Sequence, residues 1–463
     1  MYIIVKKIIF LIIIFILSIS FIISCALQDD NGSTNQDDEL QSLPEGVIDD
    51  GGLYWDTNEK LYILEEEIVS GAVPLKLWLD NEPFANAIIE GFNRIYPNVR
   101  IEVQSFLPQD SIDRMVLEGE AGTGADVFLI PHDLVGRAHS NSVLGMMGRY
   151  EEDIKERFLE SAVDTVDIDG NLFGVPYTTE SIALFYNKTL LEELHSQGII
   201  PSAEPATDWN EIVALAKEFN NVQTNSWTIR WQVEEPYFNH MFLTAFGYKL
   251  FGSDGTNPDM IGFDTPEVLE GLHFFRSMRP YWDVFSGDCN WDVTTIAYAR
   301  GGTPYLVSGP WSMEPVRIGA ETNGFEFGVT TIPLIEGQQP YTFSGVNIIC
   351  VSPYSKYPAA ARALAMYMAS EEMLTFTYEH RNMLPALNEK YAANIPGLKN
   401  NENIRAFMTQ ANFSHAMPSI PEMTYFWPTA SNMFTSVWDG IRTPEEAARN
   451  ALDEYNTLRR TGG

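Results

Sequence analysis

The order strand, helix, strand between residues 74 and 104 is the feature that most restricts how this chain can fold. Residues 74–79 form an apolar run that predicts a strand. Apolar side chains then recur every three or four positions from residue 84 to residue 95, which predicts a helix with one buried face. From residue 99 to residue 104 apolar and polar residues alternate, which predicts a second strand. This order is typical of a parallel sheet covered by helices, so we expect an α/β fold.

Three later segments carry local signals of turns and helix starts. Asp169-Gly170 lies within residues 163–177 and predicts a hairpin, because both residues tolerate a positive φ. Residues 208–211 read Asp-Trp-Asn-Glu and resemble a capping box. Thr443-Pro444, followed by two acids, predicts the start of a terminal helix. The folded part holds about 400 residues, more than one hydrophobic core usually contains, so two lobes are expected.

The first 25 residues have the marks of an export signal. Lys6 and Lys7 precede an apolar run over residues 8–23, and Ser24-Cys25 follows it. A cysteine at that point is typical of a bacterial lipoprotein, so residues 1–24 are predicted to be a signal peptide and Cys25 to carry lipid. An uncleaved membrane anchor is the alternative, since the run is near the lower length limit for crossing a bilayer. Either arrangement places the rest of the chain outside the cytoplasmic membrane.

Acidic and polar residues dominate the segment after Cys25. Residues 25–58 are predicted to be a flexible acidic tether, because their composition buries too little apolar surface to fold alone. The whole chain has a formal net charge of −34, which excludes nucleic acid and anionic membrane surfaces as partners. Cys289 and Cys350 could pair, but a large domain needs no cross-link, and two small buried residues are the simpler expectation.

Common catalytic motifs do not occur in the sequence. G-x-S-x-G, H-E-x-x-H and the phosphate-binding G-x-x-x-x-G-K are absent. The seven histidines are scattered, and the pair His132 and His139 lacks a third ligand for zinc. No catalytic residue, metal site or cofactor is therefore predicted. Two carboxylates of a glycoside-acting enzyme stay open as an alternative, because the chain has many acids.

Carboxylates stand next to aromatic residues in several distant segments. Glu234-Glu235 precede Tyr237, Trp311 follows Gly309-Pro310, and a Tyr-Phe-Trp run ends at Trp427. An aromatic ring covers the apolar face of a sugar, while a carboxylate accepts hydrogen bonds from two neighbouring hydroxyl groups. Aromatic residues make up 12% of the chain, which is more than a core requires. The pattern favours a carbohydrate ligand.

From about residue 74 to the C-terminal helix, the chain resembles the extracellular solute-binding proteins of sugar ABC importers, and among them the maltose- and maltodextrin-binding proteins. The markers are Leu77-Trp78-Leu79, Gly124-Ala125-Asp126-Val127-Phe128, His132-Asp133, residues 170–176, Tyr186-Asn187-Lys188, Glu235-Pro236-Tyr237-Phe238, Gly309-Pro310-Trp311, Phe327-Gly328-Val329 and Met417-Pro418 through Trp427. The resemblance implies an α/β, two-lobe periplasmic-binding-protein-like fold (type II-like), with three inter-lobe hinge crossings and sugar bound in the cleft. The implied first lobe is residues 74–178 plus 334–380, and the second is residues 183–328 plus 387–463, with crossings near 179–182, 329–333 and 381–386.

The resemblance also implies a set of ligand-contacting residues. They are Asp80, Glu82, Asp133, Glu180, Glu235, Pro236, Tyr237, Trp311 and Trp427. The chain departs from the maltose-binding pattern at Pro83, Leu134 and Ser431, which stand where that pattern has basic residues, and at Ile130, which replaces a stacking tryptophan. A cleft that keeps carboxylates and loses cations suits a neutral sugar and not an anionic one.

The implied function is that of a lipid-anchored receptor, a monomer without a cofactor. It would bind a neutral oligosaccharide such as a maltodextrin and deliver it to the membrane subunits of an ABC importer. A carbohydrate sensor or adhesin on the same fold is the alternative, and an enzyme acting on glycosides is the less favoured one.

Overall fold

The computed structural model describes residues 43–282 and 284–461 of the chain. The predicted signal peptide, the predicted lipid attachment residue Cys25 and most of the predicted tether lie outside these ranges. Within them, no helix combines the length and the apolar character that a membrane crossing requires.

The regular elements alternate between strands and helices along most of the chain. The strands are β1 (Val47–Asp50), β2 (Leu53–Asp56), β3 (Leu61–Tyr62), β4 (Pro74–Trp78), β5 (Arg100–Gln104), β6 (Val127–Pro131), β7 (Asp167–Ile168), β8 (Asn171–Leu172), β9 (Val175–Ser181), β10 (Ala183–Asn187), β11 (Ile229–Arg230), β12 (Tyr305–Ser308), β13 (Phe327–Thr330), β14 (Thr342–Val351), β15 (Leu384–Pro385) and β16 (Ser414–Ala416). The helices are α1 (Glu66–Val69), α2 (Glu82–Ile95), α3 (Ser111–Glu118), α4 (Val135–Ser140), α5 (Glu151–Arg157), α6 (Glu160–Val163), α7 (Lys188–Ser196), α8 (Trp209–Phe219), α9 (Pro236–Thr244), α10 (Pro266–Met278), α11 (Trp291–Ala299), α12 (Met313–Asn323), α13 (Pro358–Met368), α14 (Glu371–Arg381), α15 (Glu389–Ala392), α16 (Glu402–Ala411), α17 (Met423–Trp438) and α18 (Pro444–Thr461).

A seven-stranded sheet organises the first core. Its strand order is β15-β9-β14-β6-β4-β5, with β16 paired to β14. The strands β4, β5 and β6 run parallel, which confirms the predicted strand, helix, strand unit. The long strand β14 runs antiparallel to both β6 and β9, so the sheet is mixed and not wholly parallel. Helices α2, α13 and α14 bury side chains in this core, including Phe84, Leu364 and Leu374.

A four-stranded sheet with the order β11-β12-β10-β13 organises the second core. Helices α8, α9, α10, α17 and α18 supply much of its buried surface, in which Trp209, Phe242 and Trp438 are among the largest side chains. Two sheets with separate cores confirm the expected two-lobe α/β fold.

The chain passes between the two sheets at the places where hinge crossings were expected. Only Ile182 separates β9 of the first sheet from β10 of the second. The return runs from β13 to β14, and β15 is followed by the helices that lead to α17. The resemblance predicts that residues 334–380 belong to the first lobe, yet Ile335 and Phe343 bury their side chains in the second core. The reason is that the start of β14 packs against α9.

The predicted tether extends too far along the chain. Residues 25–58 were expected to be flexible, yet β1 and β2 lie within them, and β2 pairs with β3. Trp55 is only 8% exposed, and its ring meets those of Tyr62 and Tyr150 edge to face. The Trp55 indole packs into the first core, and the polar composition of the segment gives no sign of that burial.

The predicted turn and helix starts have mixed outcomes. The hairpin is confirmed, since β7 and β8 pair around Asp169 (φ 54°) and Gly170 (φ 86°). The terminal helix α18 begins as predicted, because Thr443 and Glu446 exchange hydrogen bonds of 3.0 and 3.2 Å between side chain and backbone. At the start of α8 the predicted capping box is displaced by one residue. The Glu211 side chain accepts from the backbone N–H of Thr207 and not from that of Asp208.

Candidate functional site

Asp133 is held in place by its neighbour His132, in the turn that follows β6. The backbone N–H of Val346 donates to Nδ1 of His132 at 3.0 Å, and the other ring nitrogen lies 2.8 Å from the carbonyl oxygen of Met417. Burial lowers the pKa of His132 to about 4, so the ring is neutral and Nε2–H donates to Met417. The imidazole therefore orients the turn and leaves Asp133 to face the site.

The Asp133 carboxylate connects the two lobes. Its Oδ2 accepts a 3.0 Å hydrogen bond from Nε1–H of Trp427, which stands on α17. Burial raises the pKa of Asp133 to about 6, while the bond from Trp427 acts in the opposite direction. This contact brings together two of the residues that the sequence predicts for the site.

Glu180 lies near the end of β9, at the predicted hinge. Asn347 on β14 donates to its Oε2 at 3.0 Å and also to Oγ1 of Thr178 at 3.2 Å. Burial raises the pKa of Glu180 to about 7; the hydrogen bond from Asn347 opposes this rise, and the Asp133 charge adds to it. Gly345 is the register partner of Glu180, and a Cβ at Gly345 would lie 3.2 Å from Cγ of the glutamate, so glycine leaves room for that side chain.

Tyr237 brings a hydroxyl group close to these two carboxylates. It occupies the first turn of α9, and within the described ranges no group hydrogen bonds to its buried Oη. Burial raises the pKa of Tyr237 well above the usual value, and the charges of Glu180 and Asp133 raise it further. An unpaired buried hydroxyl is costly unless a ligand meets it, so Tyr237 is a strong candidate for ligand contact.

Aromatic rings continue from Tyr237 across the site. The Tyr237 ring lies 6.2 Å from that of Trp311 and 6.0 Å from that of Phe343, and Phe343 lies 5.8 Å from Trp427. Trp311 stands in a short turn after β12 and folds back over Gly309, where a Cβ would lie 2.2 Å from its ring. Both tryptophans are half-buried, which leaves part of each ring free for a ligand.

Glu235 and Pro236 form the start of α9. Pro236 is buried in the first helical turn, and Glu235 precedes it with an exposed side chain. Partial desolvation and the adjacent Glu234 raise the pKa of Glu235. Ser431 replaces a basic residue of the maltose-binding pattern, and its hydroxyl donates to the carbonyl oxygen of Glu234 at 2.8 Å. The serine thus fixes this helix start to α17.

Two of the predicted acids, Asp80 and Glu82, are exposed to solvent. Asp80 follows β4 and Glu82 begins α2, and both side chains are exposed. The Asp80 charge acts on Tyr177, whose hydroxyl accepts from Arg381 at 3.3 Å. Within the ranges that the structure describes, no hydrogen bond or ion pair joins Asp80 or Glu82 to the other predicted site residues.

Sequence reasoning missed three members of this group. Phe343 and Asn347 belong to β14, and Arg381 ends α14. The guanidinium group of Arg381 covers the ring of Phe84 at 5.4 Å, and its charge lowers the pKa of Glu180. Arg381 falls within a predicted hinge crossing, which is the one sequence signal that could have pointed to it.

Two other questions from the sequence concern a metal site and a disulfide. No three His, Cys, Asp or Glu side chains there are arranged to hold a metal ion. Cys289 and Cys350 are both free thiols, so they do not form the disulfide that the sequence left open.

The chain is similar to known proteins over most of its length. Residues 87–406 match the model of a family described as bacterial extracellular solute-binding protein. A galactooligosaccharide-binding protein of Bacillus subtilis is 27% identical over 82% of this chain and 88% of its own length. A maltotriose-binding protein of Pyrococcus abyssi is 24% identical over 84% of this chain and 82% of its own.

Solved structures of sugar-binding proteins also resemble the chain in fold. A cyclo/maltodextrin-binding protein complexed with maltotetraose is 26% identical, with a TM-score of 0.68 over 84% of this chain and 98% of that one. A Thermus thermophilus maltotriose-binding protein has a TM-score of 0.72 over 83% of this chain and 99% of that one, at 21% identity, and shows the fold alone. The predicted resemblance to sugar-binding proteins of ABC importers is confirmed. The chain belongs to the bacterial extracellular solute-binding protein family.

Proposed function

We propose that this protein binds a neutral oligosaccharide between its two lobes and delivers it to the membrane subunits of an ABC importer. The observation that carries the proposal is the unpaired Tyr237 hydroxyl, whose pKa the charges of Asp133 and Glu180 raise, in a group that also holds the rings of Trp311 and Trp427. Sugar hydroxyl groups would pair with the three polar side chains, while the rings cover the apolar sugar face.

The charge of the site supports a neutral ligand. Asp133 and Glu180 have raised pKa values because burial disfavours their ionised forms, and each raises the pKa of Tyr237. A negatively charged sugar would add a third charge to this group, with Arg381 as the nearby cation. Anionic sugars should therefore bind poorly.

The ligands of the relatives suggest two classes of oligosaccharide to test. The named ligands of the relatives and solved structures are maltooligosaccharides and galactooligosaccharides. Leu134 and Pro83 replace basic residues of the maltose-binding pattern, which favours testing both classes and not maltodextrins alone.

Calorimetry with a panel of sugars tests the proposal. We expect maltotriose, maltotetraose or a galactotriose to bind with micromolar affinity or better, and a galacturonate oligomer not to bind. The Tyr54→Ala variant is a matched control, because Tyr54 is an exposed aromatic residue outside the site. No heat from any neutral oligosaccharide would contradict the proposal, and recovery of shortened sugar would instead indicate an enzyme.

Delivery to an importer requires a second experiment. We expect cells that lack this gene to lose uptake of the sugar that binds in calorimetry. Uptake that persists, together with a lost transcriptional response to the sugar, would favour the sensor alternative.

The proposed lipid anchor at Cys25 serves to keep the receptor near its membrane partner. We expect Cys25→Ala to release the protein from membranes with its sugar affinity unchanged. Release is read by fractionation and affinity by calorimetry. If the variant stayed in the membrane fraction, the uncleaved-anchor alternative would replace the lipid.

A further inference from the structure

Three hydroxyl groups meet at the hinge between the two lobes. Ser181 ends β9, Thr342 begins β14 and Ser414 begins β16, and together they are the hinge hydroxyl cluster. Oγ1 of Thr342 lies 2.7 Å from Oγ of Ser181 and 2.8 Å from Oγ of Ser414, and the two serine Oγ atoms are 3.0 Å apart. Ser181 is 4% exposed and Thr342 is fully buried, so protein groups must supply most of the hydrogen bonds of the cluster.

The cluster lies where the chain passes between the two sheets. Ser181 directly precedes the passage from β9 to β10, and Thr342 follows the return from β13. Ser414 follows α16, which packs against β13 of the second sheet. The Gln410 side chain on α16 joins these segments, because Oε1 accepts from the backbone N–H of Ile332 at 2.8 Å and Nε2–H donates to Oγ1 of Thr342 at 3.3 Å. A rotation of one lobe against the other is therefore expected to change distances within the cluster.

The cluster has more close contacts than hydrogens to donate. Besides the three contacts within it, Oγ of Ser181 lies 3.0 Å from the carbonyl oxygen of Phe343, and Oγ of Ser414 lies 3.0 Å from that of Gln410. Among the described residues these make five contacts of 3.0 Å or less, whereas three hydroxyl groups carry three hydrogens. Two contacts are therefore spare, and rotation of a hydroxyl group moves a hydrogen bond from one partner to another.

We propose that the hinge hydroxyl cluster lets the two lobes rotate without the loss of a buried hydrogen bond. When one contact lengthens, its hydrogen turns to an oxygen that is still within reach. The number of hydrogen bonds is then conserved along the motion, which avoids the cost of an unpaired buried hydroxyl. The cluster thereby determines how fast the lobes open and close.

Single substitutions change the number of spare contacts by different amounts. Ser414→Ala removes one hydrogen and three contacts, which leaves two contacts for two hydrogens and none spare. Thr342→Val removes one hydrogen and two contacts, which leaves three contacts for two hydrogens and one spare. A merely structural role would give the opposite order of effects, because Thr342 is fully buried and Ser414 only half-buried.

Hydrogen exchange without sugar tests the hinge itself. We expect the backbone amides of residues 332–342 and 410–416 to exchange about tenfold more slowly than in wild type in Ser414→Ala, and about threefold more slowly in Thr342→Val. Ser436→Ala is the matched control, because it removes a buried hydroxyl that donates to the carbonyl oxygen of Met433 within α17, and it should keep the wild-type rate. Unchanged or faster exchange in Ser414→Ala, or slower exchange in Thr342→Val than in Ser414→Ala, would overturn the proposal.

The link to sugar release rests on the proposed function. With maltotriose or a galactotriose, whichever binds in calorimetry, stopped-flow tryptophan fluorescence after rapid dilution should show release slowed about tenfold in Ser414→Ala and about threefold in Thr342→Val. If neither sugar binds to the wild type, the proposed function fails, while hydrogen exchange still tests the hinge. If a sugar binds and leaves Ser414→Ala as fast as wild type, the role of the cluster is refuted and the proposed function stands.

Discussion

The two sides of the candidate sugar site are built in different ways. On the first side, Glu180 and Asn347 are on strands of the seven-stranded sheet, and Asp133 is in the turn that follows one. On the second side, Tyr237 and Trp427 stand on helices, and Trp311 stands in a short turn. Hydrogen bonds position the first group, whereas ring contacts position the second.

This difference separates two contributions to binding. The rings offer apolar area, which contributes affinity with little dependence on pH. The carboxylates have pKa values of about 6 and about 7, so their charge changes near neutral pH. We therefore expect the aromatic side to determine how tightly a sugar binds and the sheet side to determine which sugar binds and at which pH.

The largest expected effect is the loss of one stacking ring on the aromatic side. Trp311→Ala should weaken binding of the preferred neutral sugar about 50-fold, roughly 2.3 kcal/mol, because hot-spot aromatics contribute about 2 kcal/mol or more. Calorimetry measures the change, and Tyr54→Ala should leave the affinity unaltered. A loss below threefold in Trp311→Ala would remove this tryptophan from the site.

On the sheet side, Glu180→Gln should weaken binding about tenfold at pH 8 and have little effect at pH 5. Glu180 has a pKa of about 7, so at pH 8 it is an ionised acceptor for sugar hydroxyls, whereas at pH 5 it is protonated and resembles glutamine. Calorimetry of both proteins across this range checks the convergence. A pH-independent difference would assign the effect to geometry and not to charge.

Glu180→Gln should also change how the free energy of unfolding depends on pH. The pKa of Glu180 is raised from 4.5 in the unfolded chain to about 7 in the folded protein, so its stabilising contribution is complete below pH 4.5 and is lost as pH rises through 7. Glu180→Gln should therefore gain about 3 kcal/mol of unfolding free energy relative to wild type between pH 4 and pH 8. Denaturant unfolding at both pH values measures this, and a parallel pH response of the two proteins would contradict it.

Much of the fold was predictable from the sequence, because its signals are local. The apolar spacing of residues 84–95 and the Asp169-Gly170 turn each act within a few positions, and both predictions are confirmed. The sheet order was not predictable, since β14 joins β6 and β9 from far along the chain. The tether prediction was wrong beyond residue 46 because one buried residue, Trp55, outweighs a polar surrounding composition.

The candidate site shows the same limit. Resemblance placed Asp133 and Trp427 in one site, and a direct hydrogen bond joins them. Asn347 and Phe343 carry no motif, and only the register of β14 brings them beside Glu180 and Tyr237. Sequence signals identify residues whose type is unusual, whereas residues that act through their position require the structure.

Two variants of Trp427 separate the contribution of its ring from that of its hydrogen bond to Asp133. Trp427→Phe keeps a ring but removes the donor to Asp133, so binding should weaken about fivefold, roughly 1 kcal/mol, as for a typical hydrogen bond. The loss should grow as pH rises above 6, because the ionised Asp133 would lack the indole donor. Calorimetry should give a further loss of fivefold or more in Trp427→Ala. Equal losses in both variants would show that the hydrogen bond, and not the ring, is what matters.

The smallest effect is expected for the two exposed acids on the sheet side. Asp80→Asn and Glu82→Gln should each weaken sugar binding about twofold, because solvent competes for exposed carboxylates and neither is joined to the buried group. Calorimetry in low and high salt distinguishes a hydrogen bond from a long-range charge effect, since only the latter is screened. A tenfold loss in either variant would mean that the lobes close further around the sugar than the contacts of Asp133 indicate. The sheet side would then contribute affinity as well as selectivity, and the contrast between the two sides would fail.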